Sequence, residues 1–301
     1  MIELKNEKIA IPVVLFAGLI WSFGPLVVRY MNEPNLVPWQ YIFSRGLTIF
    51  ILINLYLFFE EGKNFYKNYL KIGVSGLIGG CGLGVAMITF MFSITNTSAA
   101  ITLLCLAAMP FFTALLGFLF LKERISINVW IAIFIATTGI IIIAFGNAEK
   151  SSLIGLIFGM TSSIGFSIFS VSLRWRKETP KFTTVALSGF ICFSVAAIII
   201  LSSGMSFLST SYNGALFSLH GVLVCIGLIL YSIGSKAIPA AELTLLSLTE
   251  VIGGIFWVWL PLFGVNEIPS TNTIIGGFFI FMSIIYYSLT IKTNRRFIAL
   301  N

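Results

Sequence analysis

Long apolar runs separated by short polar breaks recur along the whole chain. A helix needs about 20 apolar residues to cross the hydrocarbon core of a bilayer. The runs predict ten such helices, at about 9–30, 38–59, 70–94, 98–121, 128–145, 153–173, 182–202, 215–234, 239–263 and 273–291. The breaks between them are short, so helices adjacent in sequence are expected to be antiparallel neighbours. No polar stretch is long enough to fold alone, which argues against a large soluble domain. The first run is too long for a signal-peptide core and lacks a small-residue cleavage site, so it reads as an anchor.

The pattern repeats. Glu123-Arg124-Ile125-Ser126-Ile127-Asn128 and Glu267-Ile268-Pro269-Ser270-Thr271-Asn272 are both E-x-x-S-x-N, each between two apolar runs. Upstream, Ser98-Ala99-Ala100-Ile101-Thr102-Leu103-Leu104 echoes Pro239-Ala240-Ala241-Glu242-Leu243-Thr244-Leu245-Leu246. The chain therefore divides into two five-helix units, 1–149 and 150–301. Five is odd, so the second unit must face the opposite way from the first. The expected fold is an all-α integral membrane protein of ten transmembrane helices in two inverted five-helix repeats, the usual frame of an alternating-access transporter.

Composition agrees with the bilayer as solvent: 58% of residues are hydrophobic and 10% charged, and the mean hydropathy is +1.02. The charges then set the orientation. With the N-terminus in the cytoplasm, fifteen of the 18 Lys and Arg residues fall in cytoplasmic segments. Arg29 and Lys150 fall on the other side, and Arg45 lies inside the second span. Such a bias predicts both termini in the cytoplasm and an even number of crossings. It also assigns the net charge of +7 to membrane orientation, leaving no call for a nucleic-acid partner. Richness in Ile, Lys, Asn and Phe with no Asp points to an AT-rich bacterial genome, hence to a bacterial inner membrane.

Cofactor chemistry has little to build on. Cys81, Cys105, Cys192 and Cys225 all lie in apolar runs without C-x-x-C spacing, and read as buried packing residues. A single histidine, His220, excludes a multi-histidine metal site. There is no dinucleotide fingerprint, P-loop or H-E-x-x-H, so neither a cofactor nor ATP drive is expected. Gly73-Val74-Ser75-Gly76 matches the G-x-S-G of rhomboid proteases. The predicted topology, however, puts Ser75 near the cytoplasmic start of the third span and His220 near the outer start of the eighth, out of hydrogen-bond reach.

Ionisable side chains inside a span cost about 2.5–3.5 kcal/mol each on insertion scales, so each needs a partner, water or a role. Glu250 lies near the middle of the ninth span, with Ser247, Gly254 and Trp257 on its helical face. It suits a cationic group or a proton; a structural hydrogen bond is the alternative. Glu242 stands eight residues earlier. It suits either a site or the helix dipole, because Pro239 opens that helix. Arg45 can hold a substrate carboxylate bidentately, or neutralise a Glu, or snorkel. Trp21, Phe90, Tyr231 and Trp257 are candidates for an aromatic cage around a cationic or amphipathic metabolite, against plain packing. Gly76, Gly80 and Gly84 form a small-residue ridge on the third span, for close helix contact or for sliding.

The repeated five-helix unit, Trp21-Ser22-Phe23-Gly24, Arg45, the Leu121-Lys122-Glu123-Arg124 exit and Trp257-Val258-Trp259-Leu260 together resemble the EamA family of the drug/metabolite transporter superfamily. The resemblance implies a ten-helix inner-membrane carrier of small metabolites, often an exporter. That family often carries Glu-Pro in the ninth helix; here the pair is Glu250-Val251, which leaves a kink there without its proline. The expected function is secondary transport of a small polar metabolite, amino-acid-like or cationic, through the lipid bilayer. Coupling to a proton or a counter-substrate, the direction of flux and the oligomeric state stay open. The other class is a non-transport membrane protein: an intramembrane enzyme, a receptor or a scaffold.

Overall fold

The computed structural model describes residues 6–123, 125–146, 152–176, 178–265 and 267–298. Lys5, Arg124, Lys150 and Lys177 of the charge count, and the division at 149–150, lie outside them. Every regular element among the described residues is helical. The helices are α1 (Glu7–Trp21), α2 (Phe23–Tyr30), α3 (Pro38–Glu61), α4 (Lys67–Leu70), α5 (Gly73–Asn96), α6 (Ala99–Leu106), α7 (Met109–Leu116) and α8 (Ile127–Gly146). They continue with α9 (Leu153–Trp175), α10 (Lys181–Ser202), α11 (Ser211–Gly234), α12 (Ala240–Leu246), α13 (Thr249–Trp259) and α14 (Thr271–Ile298). Eight helical segments, counting α1–α2, α6–α7 and α12–α13 as one each, are long and apolar enough to cross a membrane. Two shorter apolar helices, Ile127–Ile142 and Thr271–Tyr287, occupy the fifth and tenth expected positions.

Helix starts follow local chemistry. The first N–H groups of a helix lack intrahelical acceptors, so a Ser or Thr hydroxyl just ahead satisfies one. Ser98 accepts from Ile101 N at 3.3 Å, Ser152 from Gly155 N at 3.4 Å and Thr210 from Asn213 N at 3.2 Å. The repeated motif does the same job twice. Ser126 accepts from Val129 N at 3.4 Å to start α8, and Ser270 from Thr273 N at 3.2 Å to start α14.

Three expected spans are broken. The first breaks at Ser22, whose hydroxyl donates to Leu19 O at 2.6 Å. The fourth breaks at Ala107–Ala108, just ahead of Pro110, which has no N–H to continue the ladder. The ninth breaks at Ser247–Leu248 without a proline. Tight i→i−3 bonds, Leu248 N to Leu245 O and Glu250 N to Ser247 O, take over there. Ser247 Oγ donates to Thr244 O, and Thr249 Oγ1 to Leu15 O and Leu246 O. The helix thus breaks even though Val251 stands where the family often has proline, and hydroxyls bond the carbonyls around the break.

Helix α3 packs on α10, α5 on α9, α8 on α14 and α1 on α11; α6 and α7 face α13 and α12. Small residues let backbones approach without an apolar driving force between helices. At the α3–α10 crossing, a Cβ on Gly46 would stand 2.9 Å from Gly189 O, and one on Gly189 2.8 Å from Gly46 O. At the α5–α9 crossing, Gly82 and Gly165 meet the same way. The ridge of Gly76, Gly80 and Gly84 lies against Thr184, Leu187 and Ile191 of α10, which makes it a close helix contact.

Candidate functional site

The breaks in α1–α2, α6–α7 and α12–α13 converge on one cavity of about 70 Å³. Discontinuous helices commonly line the sites of transporters, since unwound backbone is tolerated in a bilayer only where it faces protein or water. Trp21 closes α1, Leu106 closes α6, Met109 opens α7 and Glu250 is the second residue of α13; all four line the cavity. Arg45, Phe90, Phe166 and His220 reach it from continuous helices.

Arg45 is 2% exposed, too deep in the protein to snorkel. Its Nη2 donates to Met87 O at 2.6 Å and its Nη1 to Tyr41 Oη at 3.3 Å, while Nε has no partner. The guanidinium also lies 5.2 Å from the Tyr41 ring centroid and 6.0 Å from that of Phe90. Tyr41 Oη, which accepts from Arg45, is also hydrogen-bonded to His220 Nδ1. The other ring nitrogen, Nε2, lies beside Gly24, where a Cβ would stand 2.6 Å from it. Glu250 shares the cavity with Arg45 and His220, yet no ion pair joins it to Arg45 among the described residues. The cavity thus holds a cation and an acid within electrostatic reach of each other but not in contact.

Aromatic rings set the remaining walls. Trp21 Nε1 donates to Val224 O at 3.2 Å, and its ring meets Phe166 at 5.6 Å and Tyr231 at 5.5 Å between centroids. Gly227 leaves room for the indole: a Cβ there would run into Trp21. Tyr231 stands behind this wall, with its hydroxyl 2.6 Å from Ser170 Oγ.

Of the residues singled out from sequence, Trp21, Arg45, Phe90 and Glu250 meet at the cavity, and Tyr231 backs it. Three do not. Ser247 caps the end of α12 and lies in the break itself, so the helical face expected to join it to Glu250 is interrupted; its hydroxyl is spent on Thr244 O. Trp257 donates to Ser22 Oγ at 2.8 Å and stacks on Phe23 at 4.6 Å, facing an apolar lateral groove. Glu242 accepts from the Tyr287 hydroxyl, within electrostatic reach of Glu123 and Arg174 rather than of the cavity. His220, which sequence patterns offer only as a metal ligand or a base, also lines the cavity. A lone histidine inside an apolar run was itself the available signal. Ser75 lies 2.5 Å from Thr179 Oγ1 and His220 bonds Tyr41, so the two have separate partners. Among the described residues no group of three or more His, Cys, Asp or Glu is placed to hold a metal ion.

Residues 8–145 match the EamA-like transporter family, so the likeness carried by Trp21, Arg45 and the Glu123 exit is borne out. An uncharacterized transporter of Helicobacter pylori is 26% identical over 65% of this chain, and the match spans 64% of that relative's length. A second uncharacterized Helicobacter pylori transporter is 23% identical over 80% of both chains. The pseudopaline exporter CntI of Pseudomonas aeruginosa is 23% identical over 68% of this chain and 72% of its own. A crystal structure of another protein superposes with a TM-score of 0.73, over 95% of this chain and 98% of that one; at 16% identity the likeness speaks for the fold alone. The chain is a multi-pass membrane protein, and the relatives named here are transporters.

Proposed function

We propose that this protein is a secondary transporter of a small polar metabolite, amino-acid-like or cationic, working by alternating access across a bacterial inner membrane. The observation that carries the reading is the cavity lined by both Arg45 and Glu250, which act on each other electrostatically but form no ion-pair contact among the described residues. Placing two ionisable groups there costs several kcal/mol in all. A substrate with an ammonium group against Glu250 and an acceptor against Arg45 and His220 recovers that cost. Trp21, Phe90 and Phe166 then enclose its body. The cavity is well below the roughly 300 Å³ of common ligand pockets, so loading requires its walls to part.

The helix neighbours fit two five-helix repeats; the odd number of helices in each makes them inverted, and the charge bias is the argument for both termini in the cytoplasm. Number the crossings one to ten and exchange each with the one five places on. The pair α1–α11 (one and eight) becomes α9–α5 (six and three), and both pairs are packed. The pairs α3–α10 and α8–α14, and the facing of α6–α7 with α12–α13, map onto themselves. Gly46 and Gly189, facing each other across α3–α10, stand at matching places in the two halves.

Purified protein in liposomes should show uptake of at least one labelled amino acid, polyamine or quaternary amine. The same compound should raise the melting temperature by mass action. No flux and no stabilisation across the three classes would overturn the reading. Proton uptake measured during flux would decide between proton coupling and exchange.

A further inference from the structure

The repeated E-x-x-S-x-N motif has one member not yet given a role, its glutamate. Glu267 Oε1 lies 2.5 Å from Arg29 Nε, and Glu123 Oε1 accepts from Arg174 Nε at 2.7 Å. Arg29 ends the first crossing and Arg174 the sixth; each Glu follows the fourth crossing of the other half. The two pairs are images of one another in sequence, 145 residues apart for the arginines (29 and 174) and 144 for the glutamates (123 and 267). They also sit at opposite ends of the molecule. Glu123 Oε2 accepts from Ala240 N, at the start of α12, whereas Glu267 follows α13 and its N–H bonds Val258 O. The 20 residues from Ala240 to Trp259 put roughly 30 Å between those ends.

We propose that Arg29–Glu267 and Arg174–Glu123 are a matched pair of latches, one at each mouth of the cavity, released in turn as one repeat rocks against the other. The proposal rests on the transporter reading. Each pair crosses between the halves, so any motion that opens its mouth must separate it. Both pairs are partly exposed, with side chains about a fifth to a third accessible. Water therefore solvates the freed charges on opening, and the latch is cheap to release. Both are made in this structure, in which the cavity is small.

The two latches are unequal. Arg174 Nη1 also donates to Ser235 O at 2.8 Å and Ile238 O at 2.6 Å, tying the end of α11 and the approach to α12 into the same knot. Glu242 and Tyr287 adjoin it. Arg29 makes an ion-pair contact without a hydrogen bond from its Nε. That end is otherwise fastened by Tyr30 Oη to Phe263 O and by the reciprocal amide pair of Asn32 and Asn213. The Glu267 end should release first.

The test reads the cavity directly and needs no substrate. In a variant with the four native cysteines replaced by serine, Ser162→Cys places a single thiol on the cavity wall. A membrane-impermeant maleimide is applied to right-side-out and to inverted vesicles. Glu267→Gln should raise labelling about two- to fivefold in one vesicle orientation, and Glu123→Gln in the other. The charge swap Arg29→Glu with Glu267→Arg should return labelling to the parent rate. Gains on the same face for both variants, unchanged rates in folded protein, or no rescue by the swap would each overturn the latches. If Glu123→Gln shows no melting transition, Glu267→Gln and its swap decide alone. Flux measured on the parent separates the two readings: flux without face-selective labelling removes the latches and keeps the transporter.

Discussion

Glu250 and Glu242 are both acids on the ninth crossing, eight residues apart, and the structure gives them different lives. Glu250 stands just after the break, on the cavity wall with Arg45 and His220. Glu242 stands before it, bonded to Tyr287 near the Arg174–Glu123 latch. Removing the charge at the first should therefore cost function and little stability. Glu250→Gln should lower flux by about ten- to a hundredfold, the loss of one charge-assisted contact, with unfolding free energy within about 0.5 kcal/mol of the parent. Flux and melting measured on one preparation check this, and a parallel loss of both would make Glu250 structural. Trp21 offers a second test at the same scale. Gly227→Ala puts a methyl where the indole lies. Overpacking of this kind costs about 1–3 kcal/mol, and relief by turning Trp21 into the cavity should reduce flux. Normal flux with normal melting would mean that Trp21 has no part in the site.

Elements differ in how much of their placement is local. The starts of α8 and α14 are set by Ser126 and Ser270, three residues into the repeated motif, and are readable from the chain. Breaks are less readable: Ser22 and Ser247 interrupt helices that hydropathy alone draws as continuous. Whether such a serine bends its helix depends on what packs beside it, here Trp257 on Ser22 and Leu15 O on Thr249. Crossings depend on pairs of small residues far apart in sequence. Gly46→Val should clash with Gly189 O and Cys192 Cβ and destabilise the fold by about 1–3 kcal/mol or more. Gly214→Val, on α11, adds a Cβ where nothing lies within 4 Å, and helix propensity favours Val over Gly, so stability should stay within about 1 kcal/mol of the parent. Thermal unfolding of the two variants in one detergent checks the contrast; equal losses would refute close backbone approach at the α3–α10 crossing.

For the whole molecule, the expected topology is tested at exposed positions. Cysteines replacing Asn35 and Ser203 should react with an impermeant reagent from outside intact cells, and a cysteine at Asn64 only after permeabilisation. Outside labelling at Asn64 would reverse the orientation. Asn213, also outside by hydropathy, is a poor reporter because its amide is tied to Asn32.

What the sequence determined by itself follows from local sums. Transfer free energies added over about 20 residues set where helices cross, charge between them implies orientation, and hydroxyls at fixed offsets set where helices start. The repeated motif likewise announced two related halves. Only the tertiary structure decided which polar groups meet. Arg45 reaches the cavity beside His220 and Glu250 because close crossings and three helix breaks bring them there. Ser247, expected on the helical face of Glu250, falls in one of those breaks, and Trp257, two turns further along α13, is held by Ser22 and Phe23 instead. The four latch residues, 144 or 145 apart in sequence by type, become two ion pairs only when the halves interlock. Membership of a site depends on distances between segments far apart in the chain, and no local sum of residue energies contains those distances.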